Sequence, residues 1–306
     1  MAFDFYFAGS QCEEATQLMI DNNMNILKSY VNDKKKILEL FEKKDQGWKG
    51  KLLIDNGAFT IHRKGGSVDI DEYISWLNDN DDHIDLAIAL DSIPGKWGEK
   101  RTPEELKYSQ DKTWENYLYM LERCKSPNKL IPVFHHGESF DCMERFLNHK
   151  IDGHPIEYMC ISGNKQLTNK QREEFYKKCF SIIHASANPD IKIHCLGSAT
   201  LSNARRFPFK SMDASSWIMT GANGGIMTDM GVIKMSKESQ SDPDNIVNLS
   251  EDAKKFVHDQ CEELGIKFED LQDNYRQRVC MNVMYMFSRS QSTDYVGGRI
   301  KTNALF

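Results

Sequence analysis

The feature that most constrains this chain is a recurring boundary. Short runs of Ile, Leu and Val end, time after time, in a small cluster of acids, amides, histidines or glycines. Lys51-Leu52-Leu53-Ile54 delivers Asp55-Asn56-Gly57, and Ile84 to Leu90 delivers Asp91-Ser92. Leu130 to Phe134 ends at His135-His136-Gly137, and Ile156 to Ile161 ends at Ser162-Gly163-Asn164. Ile191 to His194 leads through Cys195-Leu196 into Gly197-Ser198, and Phe209 to Asp213 carries its acid at the end. Strands with apolar side chains on both sides of the pleat are buried on both faces, as in parallel sheets. Segments of helical period lie between most of them, so the chain alternates strand and helix.

Phe3 to Ala8 opens the series and Gly231 to Met235 closes it, which makes eight strands. Glu13 to Lys44 reads as one helical stretch, with Leu18, Asn22, Ile26 and Tyr30 spaced four apart. Thr102-Pro103-Glu104-Glu105 starts a helix with Pro in its first turn, running to about Cys124. Thr168 to Ala185 is helical, as are about Ser250 to Leu264 and Phe268 to Ser288; the tail from Gln291 is expected to be loosely ordered. The fold class expected is α/β, an irregular (β/α)8 TIM barrel, with a doubly wound sheet as the alternative. The irregularity falls between Phe209–Asp213 and Gly231–Met235, where no long helix intervenes. Residues 1–236 would form the barrel, and 237–306 a C-terminal helical extension packed on it.

Composition narrows the function classes. Of 306 residues 40% are hydrophobic, enough for a sizeable core, and Lys plus Arg (39) against Asp plus Glu (45) leaves a net charge of −6. Bulk charge therefore does not announce a polyanionic partner, and any nucleic-acid surface must be a local patch. The eight cysteines form no CxxC pair, so neither a disulfide framework nor a zinc ribbon is suggested. No Cys/His grouping has zinc-ligand spacing, and no metal site is expected. Neither a signal peptide nor a run of transmembrane length is visible. The reading is a cytoplasmic protein of reduced thiols with no membrane partner.

In a parallel barrel all the strand ends that carry these clusters open on one face, where such enzymes hold their active sites. Packing explains one acid there more easily than three. Three converging carboxylates suit glycosyl chemistry. One attacks the anomeric carbon, a second moves protons on and off the departing and arriving groups, and a third accepts N–H donors from a base edge. Asp213 is the candidate nucleophile, against its alternative as a structural hydrogen-bond acceptor. Phe59, beside Gly57-Ala58, offers a flat face for a purine, with Met212 and Leu196 to cover the other side. Adjacent His135 and His136 point to opposite sides of a strand and are poor co-ligands for a metal; one lines the pocket and the other packs. His194 and Trp217 read as core residues. Arg205, Arg206, Lys210, Lys96, Lys100 and Arg101 are either solvated charges or a phosphate-contacting set.

The order of these motifs over about Phe3 to Gly225 resembles the tRNA-guanine transglycosylase superfamily. That family's Asp-Ser-Gly-Gly-Phe motif reads Asp55-Asn56-Gly57-Ala58-Phe59 here. The resemblance makes Asp55 catalytic rather than a turn former, and Asp91 the acid that binds the base. It matches a Gln-Gly pair with His136-Gly137, a Gly-Gly turn with Ser162-Gly163, and the nucleophile after a Gly-containing strand end with Asp213 after Leu196-Gly197. The implied ligand is a 7-deazaguanine base such as 7-cyano-7-deazaguanine, with no cofactor. Two departures stand out. The family's Cys-x-Cys-x-x-Cys plus His zinc module is missing, with Cys261, Cys280 and His258 each lacking that context. The Arg-containing stretch after the nucleophile is replaced by Ser215 to Asn223. Both point toward the zinc-free branch of bacteria and phage that modifies DNA, with tRNA as the alternative polymer and a protein partner as a further expectation. A non-catalytic barrel that binds purines or nucleic acid is the other class of function.

Overall fold

The computed structural model describes residues 3–9, 12–95, 99, 101–163, 167–197 and 200–291. The first half of the chain runs β1 (Asp4–Ala8), α1 (Glu13–Asp21), β2 (Asn25–Ser29), α2 (Tyr30–Asp45), β3 (Leu52–Asp55), α3 (Ala58–Arg63), α4 (Ile70–Asp79), β4 (Leu86–Ile88), α5 (Pro103–Arg123), β5 (Leu130–Ile131) and β6 (Val133–His135). There follow α6 (Phe140–Asn148), a small hairpin β7 (Lys150–Ile151) and β8 (His154–Pro155), β9 (Tyr158–Ser162), α7 (Asn169–Ala185), β10 (Lys192–Leu196), α8 (Leu201–Arg206) and β11 (Ser211–Ala214). The last third holds α9 (Ser216–Ala222), β12 (Gly225–Thr228), β13 (Gly231–Lys234), α10 (Glu251–Glu263), α11 (Asp270–Asp273) and α12 (Tyr275–Gln291). Helix starts follow local chemistry. The Thr102 and Glu105 side chains each accept from the other's backbone N–H, and Pro103 occupies the first turn of α5. Thr168 and Gln171 cap α7 in the same way.

Among the described residues, nine strands form one sheet in the order β5-β4-β3-β2-β1-β11-β10-β9-β6, and all neighbours are parallel. Its two edges, β5 and β6, are separated in the chain by Pro132 alone. The sheet thus curls into a nearly closed barrel. Proline has no N–H to add to a ladder, yet the Pro132 carbonyl still accepts from the Cys160 N–H at 2.8 Å. Side chains alternate across the barrel wall. Tyr6, Ala8, Leu27, Leu53, Ile88, Ile131, Val133, Tyr158 and Cys160 fill the interior. Phe5, Phe7, Ile26, Leu52, Ile54 and Met212 face outward into the layer between strands and helices.

Two expectations about the strands are overturned, and they offset each other in the count. Asn25–Ser29, inside the stretch expected to be one helix from Glu13 to Lys44, is barrel strand β2, paired with β1 and β3. The four-residue spacing of Leu18, Asn22, Ile26 and Tyr30 spans two helices and the strand between them. The break comes at Asn23, whose φ of 51° is a left-handed conformation that ends a helix. Conversely, Gly231–Lys234 lies outside the barrel, antiparallel to β12. The true neighbour of β1 on its other side is β11, which carries Asp213.

The outer ring is completed by α12. Its Val279, Val283 and Met286 join the main apolar core. Asn282 ties it inward, donating to the Trp217 carbonyl at 3.1 Å and accepting from the Met227 N–H at 2.6 Å. Buried Arg278 donates to the Gly221 carbonyl at 3.0 Å. A second cluster of Ile226, Ile233, Met235, Val257, Leu271 and Met281 seats the β12–β13 hairpin against α10 and α12. The expected tail beyond Gln291 lies outside the described residues. Among the described residues, no helix is long and apolar enough to cross a membrane.

Candidate active site

Because the strands are parallel, their carboxyl ends share one mouth. Asp55 ends β3, His135 ends β6, Ser162 ends β9 and Leu196 ends β10. Asp213 lies in β11 opposite Tyr6, and Asp91 follows β4 by three residues. His135 pairs with Ser162, and Ser162 with Leu196, so these three stand level around the wall.

Asp55 senses the other two acids. Burial first, and then the charges of Asp91 and Asp213, push the Asp55 carboxyl up to about 7. Only the Gly57 N–H, 3.2 Å from Asp55 Oδ2, works against this. Gly57 itself has φ +80°, and a Cβ there would meet the Val31 side chain at 2.7 Å. The turn that presents Asp55 therefore requires glycine.

Asp91 is held on both oxygens. Oδ1 accepts from Asn56 Nδ2 at 2.9 Å, and Oδ2 lies 2.8 Å from His135 Nε2. The other ring nitrogen, Nδ1, lies 3.1 Å from Glu138 Oε1, and the Glu138 carboxylate also accepts from the His135 backbone N–H at 2.9 Å. Burial pulls the His135 imidazole down, but Glu138 and Asp91 outweigh it and carry it up to about 10. Burial likewise would raise Asp91, yet the hydrogen bonds from His135 and Asn56 hold it below its ordinary value. His135 is thus an imidazolium clamped between two buried carboxylates. Asn56 reaches further: its amide also donates to the Ala89 carbonyl and its oxygen accepts from the Ala58 N–H. It welds the turn after β3 to the turn after β4.

Asp213 stands apart from that clamp. Its Oδ1 accepts from the Gly197 N–H at 2.9 Å and meets His194 Nε2 at 3.3 Å. Gly197 has φ +68°, which turns its N–H back toward the strand end.

The structure brings Asp55, Asp91, Ser162, Leu196, Gly197 and Asp213 to the mouth, with Gly163 directly after Ser162. Of the two adjacent histidines, His135 faces the acids. His136 gives its backbone N–H to the Ser162 carbonyl at 2.9 Å and packs its ring edge-on against Phe175, centroids 5.0 Å apart. Burial and then Arg101 lower its pKa. Phe59, on α3 just past Gly57, is 41% exposed. Met212 cannot cover the base as expected: it alternates with Asp213 and is fully buried on the outer side of the wall. Trp217 is core, its indole N–H donating to the Ala214 carbonyl at 3.0 Å.

The basic residues divide. Lys210 sits at the opposite end of the barrel, paired with Asp4 at 3.1 Å. Arg206 pairs with Glu173, and Arg205 is exposed beside it on α8. Lys96 and Lys100 lie outside the described residues. Sequence reasoning missed Asn56, Glu138 and the contact of His194 with Asp213. Strand parity was the available signal for the histidines, since His135 alternates in step with inward Val133, and His194 in step with Leu196. His258, Asp259 and Glu262 come within 4.8 Å of one another on α10, an exposed grouping far along the chain from these strand ends.

Chemically, the mouth holds one carboxyl poised to gain or lose a proton near neutrality, one neutralised and fixed acceptor, and one carboxyl that accepts from the Gly197 N–H and faces a His194 ring nitrogen. No family model matches the sequence, and no curated protein matches it.

Proposed function

We propose that this protein is a base-exchange glycosyltransferase that replaces guanine in a polynucleotide, DNA in preference to tRNA, with a 7-deazaguanine. The observation that carries the reading is the meeting of Asp55, Asp91 and Asp213 at one barrel mouth, with Asp55 pushed up to about 7. Taken as one strand interrupted at Pro132, β5 and β6 make the barrel eight-stranded. This favours the (β/α)8 reading, with its active site at the carboxyl ends of the strands, and α10 and α11 as the added helical segment.

In this mechanism an oxygen of Asp213 attacks C1′ of the target nucleotide. The bond from C1′ to the base nitrogen breaks, the electron pair leaves with guanine, and protonated Asp55 gives the base its proton. The incoming 7-deazaguanine then loses a proton to Asp55, and its freed nitrogen displaces Asp213 from C1′. Two inversions give net retention and return both acids to their starting states. Asp91, already aimed by Asn56 and His135, accepts N–H donors from the base edge, while Phe59 offers its exposed face for stacking. The target nucleotide must leave its stack to reach the mouth. Arg101, Arg205 and Arg206 are the candidate contacts for the backbone.

The preference for DNA rests on the missing zinc module and the replaced stretch after Asp213. A cytoplasmic setting in a bacterial or phage-infected cell, 7-cyano-7-deazaguanine as the incoming base, and a partner protein that adds binding surface all follow from the same branch. The test is incubation with guanine-labelled DNA and, separately, tRNA. Release of labelled guanine, with a protein–polynucleotide adduct on a denaturing gel, is expected for DNA. Reversible binding without release or adduct on either polymer would reduce the protein to a purine-binding barrel.

A further inference from the structure

We propose that His194 is the positioning residue of Asp213, acting through a buried one-way hydrogen-bond chain that starts at Tyr158. Four polar side chains line up along the barrel interior. Tyr158 Oη lies 2.7 Å from Ser211 Oγ, Ser211 Oγ lies 2.7 Å from His194 Nδ1, and His194 Nε2 lies 3.3 Å from Asp213 Oδ1. The register makes this possible: His194 is the lateral partner of Ser211 on β11, and Tyr158 lies on the next strand over, one pleat repeat lower. His194 and Ser211 are fully buried, and Tyr158 and Asp213 nearly so.

The polarity of the chain follows from the donors available. A carboxylate accepts only, so Nε2 must carry a proton toward Asp213. In the neutral imidazole Nδ1 is then an acceptor, and Ser211 must donate to it. Ser211 has then used its one proton, so Tyr158 must donate to Ser211. Burial raises the Tyr158 phenol well above its ordinary value, which keeps that donor protonated. Every proton thus points toward the nucleophile, and none has to move.

The contrast with the other inward histidine is informative. His135 lies between two carboxylates and neutralises them. His194 has a hydroxyl behind it, so it supplies direction. Together with the Gly197 N–H it engages Oδ1, which leaves Oδ2 for the reacting carbon. The Tyr6 ring, edge-on to the imidazole at 5.9 Å and 73°, holds the plane of the ring.

The kinetic arm of the test rests on the base-exchange reading, and the spectroscopic arm does not. In full-length protein labelled with 15N-histidine, the His194 ring at pH 7.5 should be protonated at Nε2 and bare at Nδ1. Its signals, assigned by their loss in His194→Gln, should shift in both Ser211→Ala and Asp213→Asn. A proton on Nδ1, or signals unmoved in both variants, overturns the chain whatever the protein catalyses. In exchange assays on DNA, His194→Leu should lower kcat about 10²-fold with KM unchanged, the cost of a misaimed group. His194→Gln, whose amide N–H reaches toward the place of Nε2, should recover most of that loss. Equal kcat in the two folded variants overturns the positioning role. If His194→Leu does not fold, Ser211→Ala replaces it, with a loss of about tenfold expected and wild-type kcat as the overturning result. If the wild-type protein releases no guanine from DNA or tRNA, the exchange reading fails and the ring-nitrogen result alone decides the chain.

Discussion

Asp55→Asn should make the protein more stable while slowing its chemistry. The Asp55 carboxyl is pushed from 3.8 up to about 7, by burial first and then by Asp91 and Asp213. Between those two values the folded protein keeps a proton that the unfolded chain has already released. The folded state binds more protons there, so stability falls as pH rises through the window and levels off above it. That shift, at about 1.36 kcal/mol per unit, puts a ceiling of about 4 kcal/mol on the cost of ionising Asp55 in the fold. Water at the mouth and relaxation of the neighbouring carboxylates lower it, and about 1–3 kcal/mol is the working expectation. Asparagine has the same shape, can still accept from the Gly57 N–H that lies 3.2 Å from Asp55 Oδ2, and carries no charge at any pH. Urea unfolding of variant and wild type at pH 4.5, 6, 7 and 8 measures the gap directly. The gap in favour of Asp55→Asn should widen up to about pH 7 and then stay constant. A gap that does not change with pH would make Asp55 an ordinary ionised acid, and its part as proton carrier would go with it. On the proposed base-exchange reading, exchange by the same variant should drop about 10²–10⁴-fold.

On the proposed base-exchange reading, Asp213→Asn should fold normally, lose exchange by several powers of ten and give no adduct on denaturation, because the covalent route would be gone; wild-type turnover in a folded variant would show the nucleophile misassigned. His135→Gln leaves Asp91 and Glu138 buried without their cation and should cost about 3–5 kcal/mol in denaturant unfolding; a loss below 1 kcal/mol would mean the clamp is not charged. The wild-type clamp has its own pH signature. His135 is raised from 6.5 to about 10, so its contribution is fully present below pH 6.5 and is lost as pH rises through about 10. Thermal melts between pH 6.5 and 10 should therefore decline more steeply in wild type than in His135→Gln. Gly57→Ala should destabilise by about 1–3 kcal/mol through the left-handed φ and the contact with Val31; an unchanged melting temperature would mean that the turn relaxes freely.

What the sequence determined by itself was local. Leu52, Leu53 and Ile54 are each fully buried, as a run apolar on both sides of a strand requires. The caps of α5 and α7 lie where Thr102-Pro103 and Thr168 announce them. Asp55, Asp91 and Asp213 were legible as a set because each lies within a few residues of its strand's carboxyl end, and in a parallel sheet such ends gather on one face whatever the angle between neighbours.

Tertiary structure decided whatever depends on a neighbour distant in sequence. Asn25–Ser29 carries the same apolar residues that a helix would, and it is a strand because β1 and β3 offer ladders on both sides. Gly231–Lys234 has strand composition but pairs with β12, the segment next to it, so it never enters the barrel. His135 and His136 differ by one residue and by an entire environment, since parity sends one to the acids and the other to Phe175. The states of Asp55 and Asp91 are collective as well. Asp55 is raised by Asp91 and Asp213, which lie 36 and 158 positions further along the chain, while Asp91 is lowered by His135 from the next strand around the wall. Charge interactions act through space in a medium of low dielectric, so no local pattern records them until the barrel brings the strand ends together.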